Sequence, residues 1–302
     1  MLTLTENFRA LFYAPFYAAF AIGAYEAEGV AAILRTSSDP ATTTADLLAG
    51  KVDAMWGGPL RVLMTHAADP AVDSVCFCDV VVRDPFFIVG REPRPAFRLA
   101  ELVGPCFATV AEVPTPWICL QDDLRRAGIN LQALNRVSGP SMADNAAALR
   151  EGRLDAAQMF QPHAEMLVAA RAGHIWYAAA TRGPTAYTTL VARRSLLSAR
   201  RDEFAALVRG MRRALCWLAV TPEAEIARAL HDFFPDIPLP ILASSVGRYR
   251  SSGLYAATPV MPREGFERLQ QAMLQSSALS HEIPFEDCVD NTLAEEAMQG
   301  ST

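Results

Sequence analysis

One phrase occurs twice in this chain, first as Leu47-Leu48-Ala49-Gly50-Lys51-Val52-Asp53-Ala54 and then as Leu149-Arg150-Glu151-Gly152-Arg153-Leu154-Asp155-Ala156. Each copy reads as a helix stopped by a glycine in the left-handed conformation, then a tight turn and an aliphatic strand. A proline suited to the first turn of a further helix follows each strand, Pro59 in one case and Pro162 in the other. The copies lie about a hundred residues apart, too far for a solenoid repeat and suited to two similar α/β lobes. Such lobes carry their ligand-binding loops at the carboxyl ends of their strands. The duplication therefore predicts an α/β protein of two lobes, each a mixed sheet flanked by helices, closing on a cleft like a Venus flytrap.

The strand-like runs Val75 to Val82 and Phe86 to Val89 flank Arg83-Asp84-Pro85, which reads as a crossing between lobes. The β-branched, turn-flanked stretch 183–192 reads as the return. The expected division is 1–85 with 187–302 as the first lobe and 86–186 as an inserted second lobe. Before the first copy, Leu2 to Leu4 opens a strand, one helix runs from Pro15 to Glu28, and a polar loop over 37–44 supplies capping residues.

Composition narrows the function classes. At 302 residues the chain can bury two cores, and the net charge of -6 with no basic stripe argues against nucleic acid as a partner. The apolar stretch Ala10 to Ile22 follows Glu6, lacks a basic start and is too short to span a bilayer, so no transmembrane segment is expected. As written, the chain carries no export signal, which reads as cytoplasmic. A start further upstream or a trimmed signal would give the periplasm instead. Six cysteines follow no disulfide spacing. Cys76 and Cys78 should share one face of a strand, but no second Cys/His pair completes a tetrahedral site, so two buried thiols are expected and no metal.

Three segments should bring helix N-termini to the cleft: Gly57-Gly58-Pro59, Thr115-Pro116-Trp117 and Gln161-Pro162-His163. Their free amides and positive dipole ends suit an anion. Aromatic residues recur at the same openings, namely Phe8, Phe12, Tyr13, Trp56, Trp117, Phe160 and Tyr187, and such rings form the apolar walls of ligand pockets. Trp56 ends a strand just before two glycines, so it is expected to be the main wall. Arg9 follows the first strand and could pair with a carboxylate, sulfonate or phosphate. His163 could present a neutral imidazole. Asp53 and Asp155 start their strands away from the cleft and read as turn-fixing residues. No nucleophile elbow, Walker loop or zinc-protease motif occurs, so no catalytic residue is assigned.

Phe16 to Val30, with Gly23, Tyr25 and Glu28-Gly29-Val30, together with Leu47 to Ala54, Gly152 to Ala156 and the tail Pro284 to Asn291, resembles the type 2 periplasmic-binding-protein family. The likeness is to its sulfonate/nitrate/taurine-binding and thiamine-pyrimidine-related branch and covers nearly the whole chain. It implies a solute-binding protein holding a small aromatic, heteroaromatic or anionic ligand, with an ABC transporter permease as partner. The alternatives on the same fold are an enzyme of thiamine-pyrimidine or aromatic-acid metabolism and a ligand-sensing domain. Thiamine-pyrimidine synthases of this fold hold pyridoxal phosphate on a lysine just after the strand matched here by Val52 to Trp56, beside a histidine. This chain has Trp56, Gly57 and Gly58 there and Arg61 near the place of the histidine. Its only lysine, Lys51, precedes the strand, so no cofactor is expected.

Overall fold

The computed structural model describes residues 1–37, 39 and 42–299; Ser38, Pro40 and Ala41 of the expected polar loop lie outside them. Among the described residues, ten strands form two five-stranded sheets. The first contains β1 (Leu2–Glu6), β2 (Ala32–Thr36), β3 (Ala54–Gly57), β4 (Ser74–Val81) and, from late in the chain, β10 (Thr188–Arg193), in the order β2-β1-β3-β10-β4. The second contains β5 (Phe87–Gly90), β6 (Cys106–Ala108), β7 (Asn135–Val137), β8 (Ala156–Met159) and β9 (His174–Ala178), in the order β7-β6-β8-β5-β9. Each sheet has three parallel strands followed by an antiparallel pairing on either side of one strand, β10 or β5.

The repeated phrase does the same work in both sheets. Gly50 and Gly152 stop their helices with φ of 73° and 74°, a conformation a side chain would strain. The Asp53 carboxylate accepts the Thr3 amide at 2.7 Å, and its own amide donates to the Thr3 carbonyl at 3.0 Å. Asp155 does likewise with Cys106, at 2.8 and 2.9 Å. Each aspartate thus clamps the start of the first parallel strand of its sheet, a structural role that explains why the type recurs.

Two expected elements differ. The single helix over Pro15 to Glu28 is broken into Ala14–Ala21 and Ala24–Ala27, because Gly23 takes φ 64° and turns the chain. Cys76 and Cys78 do not share a face. A bulge in the β4–β10 ladder between Leu190 and Val191 shifts the register, so Cys78 packs with Leu190 and Trp56 while Cys76 packs with Val191, Met55 and Cys288. Burial pushes the Cys119 and Cys288 thiols up to about 12 and raises those of Cys76 and Cys78 well above the ordinary thiol range, whereas Cys216 is exposed. In the native protein a thiol reagent should therefore modify Cys216 first. These four buried cysteines should react only on denaturation, which mass mapping of a timed labelling reaction checks.

The strands next to the two crossings are tied together by a buried ion cluster. Arg182 pairs with Asp84 at 2.8 Å and with Asp123 at 2.5 Å, and all three side chains are nearly solvent-free. Asp84 belongs to the segment between β4 and β5, Arg182 to that between β9 and β10, and Asp123 to the helix Thr115–Arg126. The helix Arg201–Val220 returns to cover Ala14–Ala21 and the first sheet. The helix Leu239–Ser251 also reaches the second sheet's side, where Arg248 pairs with Glu165 and Tyr249 Oη accepts the Gln161 amide at 2.8 Å.

Candidate functional site

A cavity of about 200 Å³ lies between the helices of the two sheets. On the first sheet's side it is bounded by Asn7, Phe8, Phe12 and Tyr13 from the loop after β1, and by Gly58, Leu60, Arg61 and Met64 after β3. Val113, Pro114 and Thr115 face them from the second sheet's side, and Tyr187 and Thr188 come from the return crossing. The loops after β1 and β3 stand at the carboxyl ends of parallel strands, which is why they converge. Two helices point their N-termini at this space, Pro59–Ala68 and Thr115–Arg126.

The lining is mainly aromatic and apolar, with a few polar side chains. Phe12 packs against Tyr13 at 4.3 Å and edge-on to Tyr187 at 6.0 Å between ring centres. Asn7 Oδ1, Tyr187 Oη and Thr188 Oγ1 are buried and have no hydrogen-bond partner among the described residues. Buried polar atoms are ordinarily paired, and each such vacancy is costly until something fills it. Burial pushes the hydroxyls of Tyr13 and Tyr187 well above the ordinary phenol range, so both remain neutral donors, with Arg61 partly offsetting the shift at Tyr13.

Of the residues expected to line the cleft, Phe12, Gly58, Thr115 and Tyr187 surround this cavity. Arg9, Phe160 and His163 line a second, more apolar space of about 790 Å³ on the far side of Phe160, whose ring sits 5.3 Å from Phe12. Burial lowers the His163 pKa, with Glu112 acting in the opposite direction, so its imidazole is neutral at pH 7. Arg9 is already engaged: it donates to Glu6 at 2.9 Å and to the Phe233 carbonyl at 3.0 Å. Glu6 also accepts from Tyr17 and Thr36, which makes Arg9 part of a structural network.

Four expectations are corrected. Trp56 is fully buried in the first core, stacked on Phe16 at 4.6 Å and edge-on to Tyr17 at 5.8 Å. Pleat parity puts it with Ala54 on the face covered by the helix Ala14–Ala21, away from the strand end. Gly57 does not border the cavity but makes room beside it, since a Cβ there would come within 3.0 Å of the Asn7 amide. Gln161 is fully buried and its side chain accepts the Glu165 amide, capping the turn into His163–Ala169. Trp117 points around the helix into the second core, where Arg136 lies 4.3 Å over its ring. Lys51 is exposed, pairs with Asp46 at 2.7 Å and stands at the opposite end of β3 from the cavity. Sequence reasoning missed Asn7, Arg61 and Thr188 as lining residues. The available signal was position: Asn7 just after β1, and Arg61 in the first turn of the helix after Gly57-Gly58.

This architecture is the two-lobed α/β fold of periplasmic binding proteins. The structure superposes on the periplasmic aliphatic sulphonate binding protein SsuA from Escherichia coli with a TM-score of 0.76, at 16% identity over 94% of this chain and 95% of that one. The desulfurization enzyme DSZB matches at a TM-score of 0.72 and 14% identity, over 99% of each chain. In sequence, the "Putative binding protein YtlA" of Bacillus subtilis (strain 168) is 25% identical over 297 residues, covering 97% of this chain and 88% of that protein. Residues 8–231 match the NMT1-like family, and the chain belongs to that family. Among the described residues no helix is long and apolar enough to cross a membrane, and no cluster of metal-ligating side chains occurs.

Proposed function

We propose that the protein is a solute-binding protein that captures a small organic molecule in the cavity between its lobes. Residues 1–85 and 187–302 form one lobe in this reading, and 86–186 the other. The observation that carries it is one aromatic-walled space between the two sheets whose lining includes Asn7, Tyr187 and Thr188, each with a buried polar atom that has no partner among the described residues. A ligand with hydrogen-bonding groups on a flat or apolar body supplies what they lack. Phe12, Gly58, Thr115 and Tyr187 line it. The fold shared with the periplasmic SsuA and the sequence likeness to the putative binding protein YtlA support a role in delivering the ligand to an ABC importer from outside the cytoplasmic membrane. Closure and release proceed by hinge motion at the two crossings.

Tyr187→Phe tests the reading. Its hydroxyl has no hydrogen-bond partner among the described residues, so the empty variant should be as stable as the parent or up to about 1 kcal/mol more so. Affinity for a ligand found in a thermal-shift screen should fall roughly three- to tenfold, the worth of one hydrogen bond. A saturating ligand at a hundred times its Kd adds about 2.7 kcal/mol, well within such a screen's reach. Unchanged affinity for every hit would remove the cavity from consideration.

A further inference from the structure

We propose that the second space, beyond Phe160, is a binding site of its own for an uncharged organic molecule with an apolar body and one hydroxyl or carbonyl group. It encloses about 790 Å³, within the range of small-molecule pockets. Leu11, Phe234 and Ile237 line it together with Ala146, Phe160 and Leu167, so segments from both sides of the crossings enclose it. Phe160 separates it from the first cavity. Its ring stacks on Phe8 at 6.5 Å and stands edge-on to Phe12 and Phe86, each at 5.3 Å. The two spaces are therefore separate compartments, and what enters one does not decide what enters the other.

The lining decides the class of molecule. No aspartate or glutamate borders the space, so an ammonium group would be buried without a counterion. The cations are equally unavailable to an anion. Arg9 is held by Glu6 at 2.7 Å and by the Phe233 carbonyl at 3.0 Å, and Arg150 is exposed to water, where screening leaves a charge little effect. His163 is half-buried, and burial lowers its pKa so that the ring is neutral. Among the described residues it makes no hydrogen bond, which leaves one ring nitrogen to donate and the other to accept. A hydroxyl or carbonyl meets that offer without bringing a charge into an apolar chamber. The other walls are aliphatic and aromatic, and Met166, 44% exposed, extends them to the surface. Water against such walls is released when an apolar body replaces it.

The test is calorimetric titration of the full chain at pH 7 with decanol, decanoate and decylamine, three probes that share a chain and differ in charge. Decanol should bind about fivefold or more tightly than either ion. Ala170→Trp, at an exposed position on the chamber's border, should weaken decanol binding about tenfold or more and leave the melting temperature of the empty protein unchanged. His163→Phe should weaken it roughly three- to tenfold, the worth of one hydrogen bond. Val113→Trp, which fills the first cavity from its rim, should leave decanol affinity as it was. No binding of decanol, an ion binding as tightly, full affinity in His163→Phe, or binding that survives Ala170→Trp would each overturn the proposal. Decanol binding lost in Val113→Trp and kept in Ala170→Trp would put the probe in the first cavity. That result removes the second site and leaves the solute-binding reading standing.

Discussion

Trp56→Ala should lower the stability of the folded protein by roughly 3–5 kcal/mol, the cost of a large cavity in a packed core. Trp56 is fully buried, lies nearly parallel to Phe16 and meets Tyr13 and Tyr17 edge-on. Truncation removes its own burial and one partner from three rings, and the surrounding β3 and Ala14–Ala21 backbones are too constrained to fill the gap. For a chain of this size the melting temperature should fall by roughly ten degrees. Trp56→Phe should recover more than half of the loss, because it keeps the stack and the indole N–H has no partner to forfeit. The fraction that remains folded should bind ligand normally. A variant with an unchanged melting temperature and weakened binding would return Trp56 to the cleft wall.

Arg182→Met should be comparably damaging, at about 3–5 kcal/mol at pH 7, because it strands two carboxylates in the interior. Burial raises the pKa of Asp84 even in the intact cluster, and the positive charge of Arg182 holds it back. Removing that charge raises it further and leaves Asp123 as a like-charged neighbour. A carboxyl whose pKa is higher folded than unfolded binds more protons in the folded state, so stability falls as pH rises through that interval. The deficit of Arg182→Met should therefore shrink as pH is lowered from 8 towards 5, and denaturant melts across that range measure it. Asp84→Asn combined with Arg182→Met removes one of the stranded charges and should flatten the dependence. A deficit that instead grew on acidification would mean that the cluster is not what the substitution disturbs.

The sequence made the fold legible because the duplicated phrase encodes geometry directly. A left-handed glycine and an aspartate clamp appear at matching places in both sheets, and neither needs tertiary knowledge to be read. What it hid were features set by parity and by contact across the chain. Trp56 was placed by its neighbours Gly57 and Gly58, although its phase with Ala54 already assigned it to the covered face. The phase of Cys76 and Cys78 was readable, but a bulge imposed by β10, more than a hundred residues later, cancelled it. Arg9 looked available because Glu6, Thr36 and Phe233 surround it only after folding.

The position of β10 has a consequence for the order in which the molecule can be made. It is the fourth strand in space of the first sheet, bonded to both β3 and β4, yet it emerges after every strand of the second sheet. The second sheet has all its strands once residue 178 has left the ribosome. Until residues 188–193 follow, β3 and β4 expose facing unpaired edges on a nascent chain, the condition under which strands recruit the wrong neighbour. Vectorial synthesis thus favours a half-finished protein whose inserted part is complete and whose enclosing part is not.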